Sequence, residues 1–240
     1  MNCVKKKMKS EVKHIYFDLD HTLWDFDTNS RLTLQEMYVA FKMDKIGFEN
    51  FDVFHKTYLK VNQVYWSWYR NGKITKEQLR VGRFRDTLLE RDFSDDILVE
   101  QLQSYYVKES PEKAQLMPGA IEVLEHIWGR YELHIITNGF KEVQNRKLEN
   151  SKISHYFRNV IISEETGFQK PDVRIFRHAE RESGSTPGNS LMIGDSFEAD
   201  ILGATRAGWD AIHLLEANEN ASKLHGVRYI RNLTKLLEML

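Results

Sequence analysis

One cysteine, Cys3, is all the chain contains, so no disulfide forms within it and no paired-cysteine zinc signature exists. Its nine histidines show neither H-E-x-x-H nor H-x₃₋₅-H spacing, which leaves any metal to oxygen ligands. A charge excess is missing too. With 34 Lys and Arg against 35 Asp and Glu, the net charge is −1, and nothing in that balance neutralises a phosphate backbone, so a nucleic-acid polymer is not an expected partner. There is no apolar run of about eighteen residues that could cross a membrane. Met1 to His14 carries Lys5, Lys6, Lys7 and Lys9 without a following apolar stretch of signal-sequence length, so the expected location is cytoplasmic, with no membrane partner. What remains is ordinary for a globular protein: 41% hydrophobic, 29% charged and 12% aromatic residues over 240 positions, enough for one or two domains at about 150 residues each.

Five short apolar runs predict buried strands: His14–Asp20, Tyr131–Thr137, Asn159–Ser163, Ser190–Asp195 and Asp210–Leu215. Helical patterns alternate with them. Ala120–Trp128 sets Ile121, Leu124 and Ile127 on one face and stops at Gly129; Lys141–Glu149, Asp172–Ser183 and Asp200–Ala207 follow, and Asn232–Leu240 predicts a closing helix. Strand–helix alternation implies right-handed crossovers and an α/β, doubly wound, Rossmann-like parallel sheet.

Between Asp20 and Thr137 the rhythm breaks, because a single crossover needs only a dozen or so residues. From Ser30 to Ser110 the pattern is helical. Phe51, Phe54, Tyr58, Val61, Tyr65 and Trp68 step by three and four toward a stop at Asn71-Gly72, and this spacing assigns Tyr65 and Trp68 to the buried face. Thr75 and Gln78 form a capping-box pair, and Ser94-Asp95-Asp96 opens another helix. The expected organisation is a core of residues 1–22 and 112–240 with an all-helical cap domain, 23–111, inserted.

Ligands of open parallel sheets bind at the carboxyl ends of the strands, and here those ends are polar. Asp18-Leu19-Asp20-His21-Thr22 follows the first strand, Thr137-Asn138-Gly139 the second, and Gly194-Asp195 the fourth, with Asp200 five residues on; Lys170-Pro171 follows the third. No G-x-G-x-x-G follows the first strand and no G-x-x-x-x-G-K-[ST] appears, so the dinucleotide and P-loop readings lose their main support. Oxygen-bearing acids with no His or Cys suit Mg²⁺, with Mn²⁺ as the alternative, and a lysine and hydrogen-bond donors beside them suit phosphate chemistry.

DLDHT, ITNG, KPD and GDSFEAD stand in the order and loop positions of the four motifs of the haloacid dehalogenase superfamily, which the chain resembles across its whole core. The insert after the first motif looks like that superfamily's type one cap. NGKIT, GRF, IITNGF and ISEETGFQKPD make the chain similar to the pyrimidine nucleotide 5′-nucleotidase branch. The resemblance implies that Asp18 is the nucleophile and forms an aspartyl-phosphate, and that Asp20 is the acid and base. It further implies Mg²⁺ held by Asp18, the main-chain carbonyl of Asp20 and Asp195. Thr137 and Asn138 would hold the phosphoryl oxygens, Lys170 would neutralise charge, and Asp200 would orient the lysine or the metal shell. Asp20 also favours phosphatase over dehalogenase chemistry.

In the cap, Trp66 and Tyr69 are the pair expected to stack a nucleobase, while Arg80 and Arg83 would reach substrate or face water, and Trp24 and Phe26 would line the entrance. The reading is an Mg²⁺-dependent phosphomonoesterase acting on a small phosphate ester, a pyrimidine nucleoside 5′-monophosphate foremost, whose cap closes to exclude water. A sugar-phosphate or phosphoglycolate phosphatase is the alternative with the same machinery. A receiver-like phosphoacceptor module is the alternative of another class, weakened by the insert and by the second acid.

Overall fold

Runs too short for helices, rich in Ile, Leu and Val, become strands β1 His14–Phe17, β2 Glu132–Thr137, β3 Asn159–Ile162, β4 Ser190–Gly194, β5 Asp210–Leu214 and β6 Arg228–Ile230. A computed structural model, which describes residues 12–215, 221, 224 and 226–240, pairs them all in parallel in the order β3-β2-β1-β4-β5-β6. Cys3 and the amino-terminal lysines lie outside the described residues. No helix among the described residues is long and apolar enough to cross a membrane.

The sheet is apolar on both faces because successive side chains alternate. Ile15, Phe17, Leu133, Ile135, Leu191 and Ile193 enter one core, while Tyr16, Ile136, Met192 and Ala211 enter the other. Phe17 lies opposite Ile135 and Ile193, so the residues just beyond β1, β2 and β4 reach the same sheet end. β1 has β2 on one side and β4 on the other, and the crevice between chain directions opens at this switch point.

The chain divides into two compact units: the described residues up to Phe26 with Ala114–Leu240, and Asp27–Lys113. The second is helical, with α1 Phe26–Ala40, α2 Phe51–Arg70, α3 Lys76–Leu89 and α4 Asp96–Glu109 around a core that includes Leu34, Phe54, Tyr58, Phe84, Leu102 and Tyr106. Thr75 accepts from the Gln78 amide while the Gln78 side chain accepts from the Thr75 amide, the reciprocal box its sequence encodes. Asp95, rather than Ser94, caps α4, accepting from the Ile97 and Leu98 amides. Trp68, expected on the buried face, is 37% exposed. It lies in the last turn of α2, whereas Tyr65 one turn earlier donates to Asp86 and lies over Gly82, where a β-carbon would strike the Tyr65 ring. Arg83 is also not a surface residue. At 4% exposure it donates to Asn62 at 3.0 Å and lies 4.7 Å from the Tyr106 ring centroid.

In the first unit, α5 Ala120–Ile127, α6 Lys141–Asn150, α7 Ser163–Thr166, α8 Val173–Ser183 and α9 Gly203–Arg206 connect the strands. Two elements depart from expectation. The stretch predicted as one helix from Asp200 is a π-helical turn, Phe197–Leu202, running into α9, and the closing segment is a 3₁₀ turn, Leu233–Glu238, capped by Asn232 and anchored by buried Leu233 and Leu236. Trp24 does not line an entrance: it is fully buried in the core of the sheet unit, while Phe26 is half-buried against it. Replacing Thr75 by Ala removes the α3 box and should lower the unfolding free energy by about 1 kcal/mol, read by urea denaturation.

Candidate active site

Because β1 stops at Phe17, Asp18 is the first residue past the strand, with its amide still donating to Ile193 at 2.9 Å. Thr22 returns to the same end and is completely buried. Its hydroxyl donates to Asp195 Oδ1 and accepts from the Asp195 amide, both at 3.1 Å, so the loops after β1 and β4 are tied together. His213 Nε2 on β5 donates to the Asp195 carbonyl at 2.7 Å.

Lys170, only 2% exposed, uses all three ammonium protons: it donates to Asp18 Oδ1 at 2.7 Å, Asp200 Oδ1 at 2.6 Å and the Ile136 carbonyl at 2.7 Å. Its main chain is fixed by Asn138, which donates to the Lys170 carbonyl at 2.9 Å and accepts from its amide at 2.8 Å. The Asn138 side chain therefore braces the lysine loop. Asp200, fully buried, also accepts from the Ser196 amide at 3.0 Å. It reaches this position because residue 194 is glycine; a β-carbon there would collide with the Asp200 carboxylate.

Burial pushes the Asp18 carboxyl up to about 7, with Lys170 opposing and Asp200 reinforcing the shift. Burial, aided by Asp18, raises Asp195 to about 6, and burial raises Asp200. Burial works against the Lys170 ammonium, but Asp18 and Asp200 outweigh it and hold the group above the usual lysine range. Asp18, Asp195 and Asp200 each offer an oxygen, all within 4.8 Å of one another. When all three acids are ionised, three carboxylates and one ammonium leave two negative charges at this point, which a divalent cation would cancel. Asp18 and Asp195 each retain one oxygen, Oδ2, with no protein donor among the described residues, whereas both Asp200 oxygens are hydrogen-bonded. The donor set thus fits Mg²⁺ on Asp18 and Asp195, with Asp200 holding the lysine.

Asp20 is turned to a different neighbourhood. Lys147 Nζ lies 2.5 Å from its Oδ1, and Gln144 Nε2 donates to its Oδ2 at 3.0 Å. The same Gln144 nitrogen donates to Thr137 Oγ1 at 2.7 Å, and the Gly139 amide donates to that hydroxyl at 3.2 Å. Reading the sequence by strand ends alone misses Gln144 and Lys147, because they sit inside α6. The available signal was a polar pair three apart on a helix that starts just after Thr137-Asn138-Gly139. Trp66 and Tyr69 are half-buried on α2, ring edge to face at 5.8 Å, within the helical unit.

Residues 12–208 match the haloacid dehalogenase-like hydrolase family. Pyrimidine 5′-nucleotidase YjjG of Escherichia coli is 35% identical over 231 residues, covering 93% of this chain and 96% of the relative. Pyrimidine 5′-nucleotidase PynA of Streptococcus pneumoniae is 31% identical over 236 residues, covering 94% and 95%. Among solved structures, YfnB from Bacillus subtilis bound to magnesium aligns with a TM-score of 0.83 at 28% identity, covering 96% of this chain and 99% of that one.

Raised carboxyl pKa values mean that the folded chain holds protons its unfolded form has already released. Between about pH 4, where free Asp ionises, and about pH 7, the metal-free protein should lose stability as pH rises. Mg²⁺ held by the ionised acids would compete with those protons, so the increase in Tm it causes should grow across the same window in melts followed by circular dichroism. An increase independent of pH would refute this.

Proposed function

The chain belongs to the haloacid dehalogenase-like hydrolase family, and on that premise we propose that it hydrolyses nucleoside 5′-monophosphates, pyrimidine ones foremost, through a phosphorylated Asp18. The observation that carries this reading is the buried Lys170 ammonium joining Asp18 and Asp200, beside Asp195 and with Asp20 two residues from Asp18. Two pyrimidine 5′-nucleotidases similar to nearly the whole chain support the substrate class.

In the proposed reaction, a carboxylate oxygen of Asp18 bonds to phosphorus as the ester P–O bond breaks, and Asp20, which enters the step protonated, delivers its proton to the departing nucleoside oxygen. Asp20, now a carboxylate, then takes a proton from water as the water oxygen bonds to phosphorus and the Asp18–O–P bond breaks. Lys170 stays at Asp18 through both steps and offsets phosphoryl charge. Thr137 Oγ1 already accepts two hydrogen bonds, so its own proton is left to donate to a phosphoryl oxygen. A divalent cation on Asp18 and Asp195, with the Asp20 carbonyl as the further ligand, would supply Lewis-acid stabilisation of the phosphoryl oxygens. Trp66 and Tyr69 contribute to selection of the nucleobase by stacking.

A screen of nucleoside monophosphates against sugar phosphates and phosphoglycolate, with and without chelator, tests the reading: pyrimidine monophosphates should have the highest kcat/KM and chelator should abolish turnover. A preference for sugar phosphates would overturn the substrate class. Asp18→Asn should reduce kcat by more than about 1,000-fold and eliminate an acid-stable, hydroxylamine-sensitive phosphoenzyme. Trp66→Ala should lower kcat/KM for nucleotides about tenfold relative to sugar phosphates; equal losses on both would count against stacking.

A further inference from the structure

Both oxygens of Asp20 are gripped from one helix, Oδ1 by Lys147 and Oδ2 by Gln144, three residues apart on α6. We propose that Lys147 and Gln144 are positioning residues that hold the Asp20 carboxylate in its proton-transfer orientation and align it with Thr137. The inference rests on the reading of Asp20 as acid and base given above.

A carboxylate turns about a soft terminal torsion, with no staggered minimum to fix its plane. Asp20 is half-buried, and the two donors, one on each oxygen, define that torsion. Lys147 is itself held: it is 4% exposed, and its ammonium lies 4.1 Å from the centroid of the fully buried Trp24 ring. An ammonium buried on an aromatic face and paired with one acid is a poor device for stability, since a pair of apolar residues replacing both partners would serve the core as well. Its placement is accounted for by what it does to Asp20.

Gln144 extends the grip. Completely buried, it donates to Asp20 and to Thr137 Oγ1, while its own carbonyl oxygen is buried with no hydrogen-bond partner. The amide is oriented for its two acceptors at the expense of that oxygen. Residue 139 must be glycine for this, because a β-carbon would overlap the Gln144 side chain. One amide thus sets the distance between the group that handles the proton and the hydroxyl that faces the phosphoryl group. A loose carboxylate would lose proton transfer in the same way that small misplacements elsewhere in active sites slow chemistry.

The test separates proton transfer from general damage by varying the leaving group. Uridine 5′-monophosphate has a poor leaving oxygen that needs a proton, whereas p-nitrophenyl phosphate releases an oxygen that does not. In single-turnover experiments with the full-length protein and Mg²⁺, Lys147→Met should slow nucleoside release about 100-fold but p-nitrophenolate release less than about threefold. Asp20→Asn should show the same split. Gln144→Met, which also removes the unpaired carbonyl, provides a second variant if the lysine replacement does not fold, and should show a split in the same direction. Equal losses on both esters, or no loss, in folded Lys147→Met and Gln144→Met while Asp20→Asn keeps the split would overturn the positioning inference alone. Absence of the split in Asp20→Asn would remove the acid-base reading and this inference with it.

Discussion

A single buried ammonium organises the site. Lys170 brings together loops from β1, β2, β3 and β4 by donating to Asp18, the Ile136 carbonyl and Asp200 while its own main chain exchanges two hydrogen bonds with Asn138. Removing it would leave two carboxylates facing each other away from water, a cost of several kcal/mol per uncompensated ion. The glycine at 194 and the π-helical turn after it belong to the same arrangement. The first makes room for the Asp200 carboxylate, and the turn begins with Ser196 donating its amide to that carboxylate. Asp200 is therefore the lysine's second anchor.

Charge divides the site into two parts with different duties. Around Asp18, Asp195 and Asp200 three acids face a single ammonium, and burial raises the pKa of Asp18 and Asp195, so the ionised cluster carries more negative charge than Lys170 offsets. Around Asp20 the neighbouring charge is a single lysine, Lys147, against one carboxyl oxygen. Gln144 spans them through Thr137 and Asp20, leaving its own carbonyl unpaired at a cost of about 1–3 kcal/mol.

The helical unit follows another logic. Its interior is aromatic, with Tyr58, Phe84 and Tyr106 around the Arg83 guanidinium, and Asn62 accepts one of that cation's protons. Machinery for phosphate chemistry is shared widely among folds of this kind, while the groups outside it decide which ester is accepted. The proposed catalytic residues accordingly lie in short motifs at strand ends, and the proposed selectors, Trp66 and Tyr69, lie on a helix.

What the amino-acid order alone determined was whatever depends on neighbours in the chain. Short apolar runs became parallel strands, Thr75 and Gln78 closed their capping box, and the acids, threonine and lysine at strand ends came to one edge of the sheet, because strand polarity puts every carboxyl end there. Only the folded chain decided which of those groups touch. The stretch from Asp200 turned out to belong to a π-helical turn, where the Ser196 amide donates to that buried acid, and Trp68 is exposed while Tyr65 lies over Gly82. For Gln144 and Lys147 the only local signal is a polar pair three apart on α6, which does not name the groups they touch. Their partners, Asp20 and Thr137, lie 124 and 7 residues from Gln144, and Asp20 lies 127 from Lys147, separations bridged by packing rather than by periodicity.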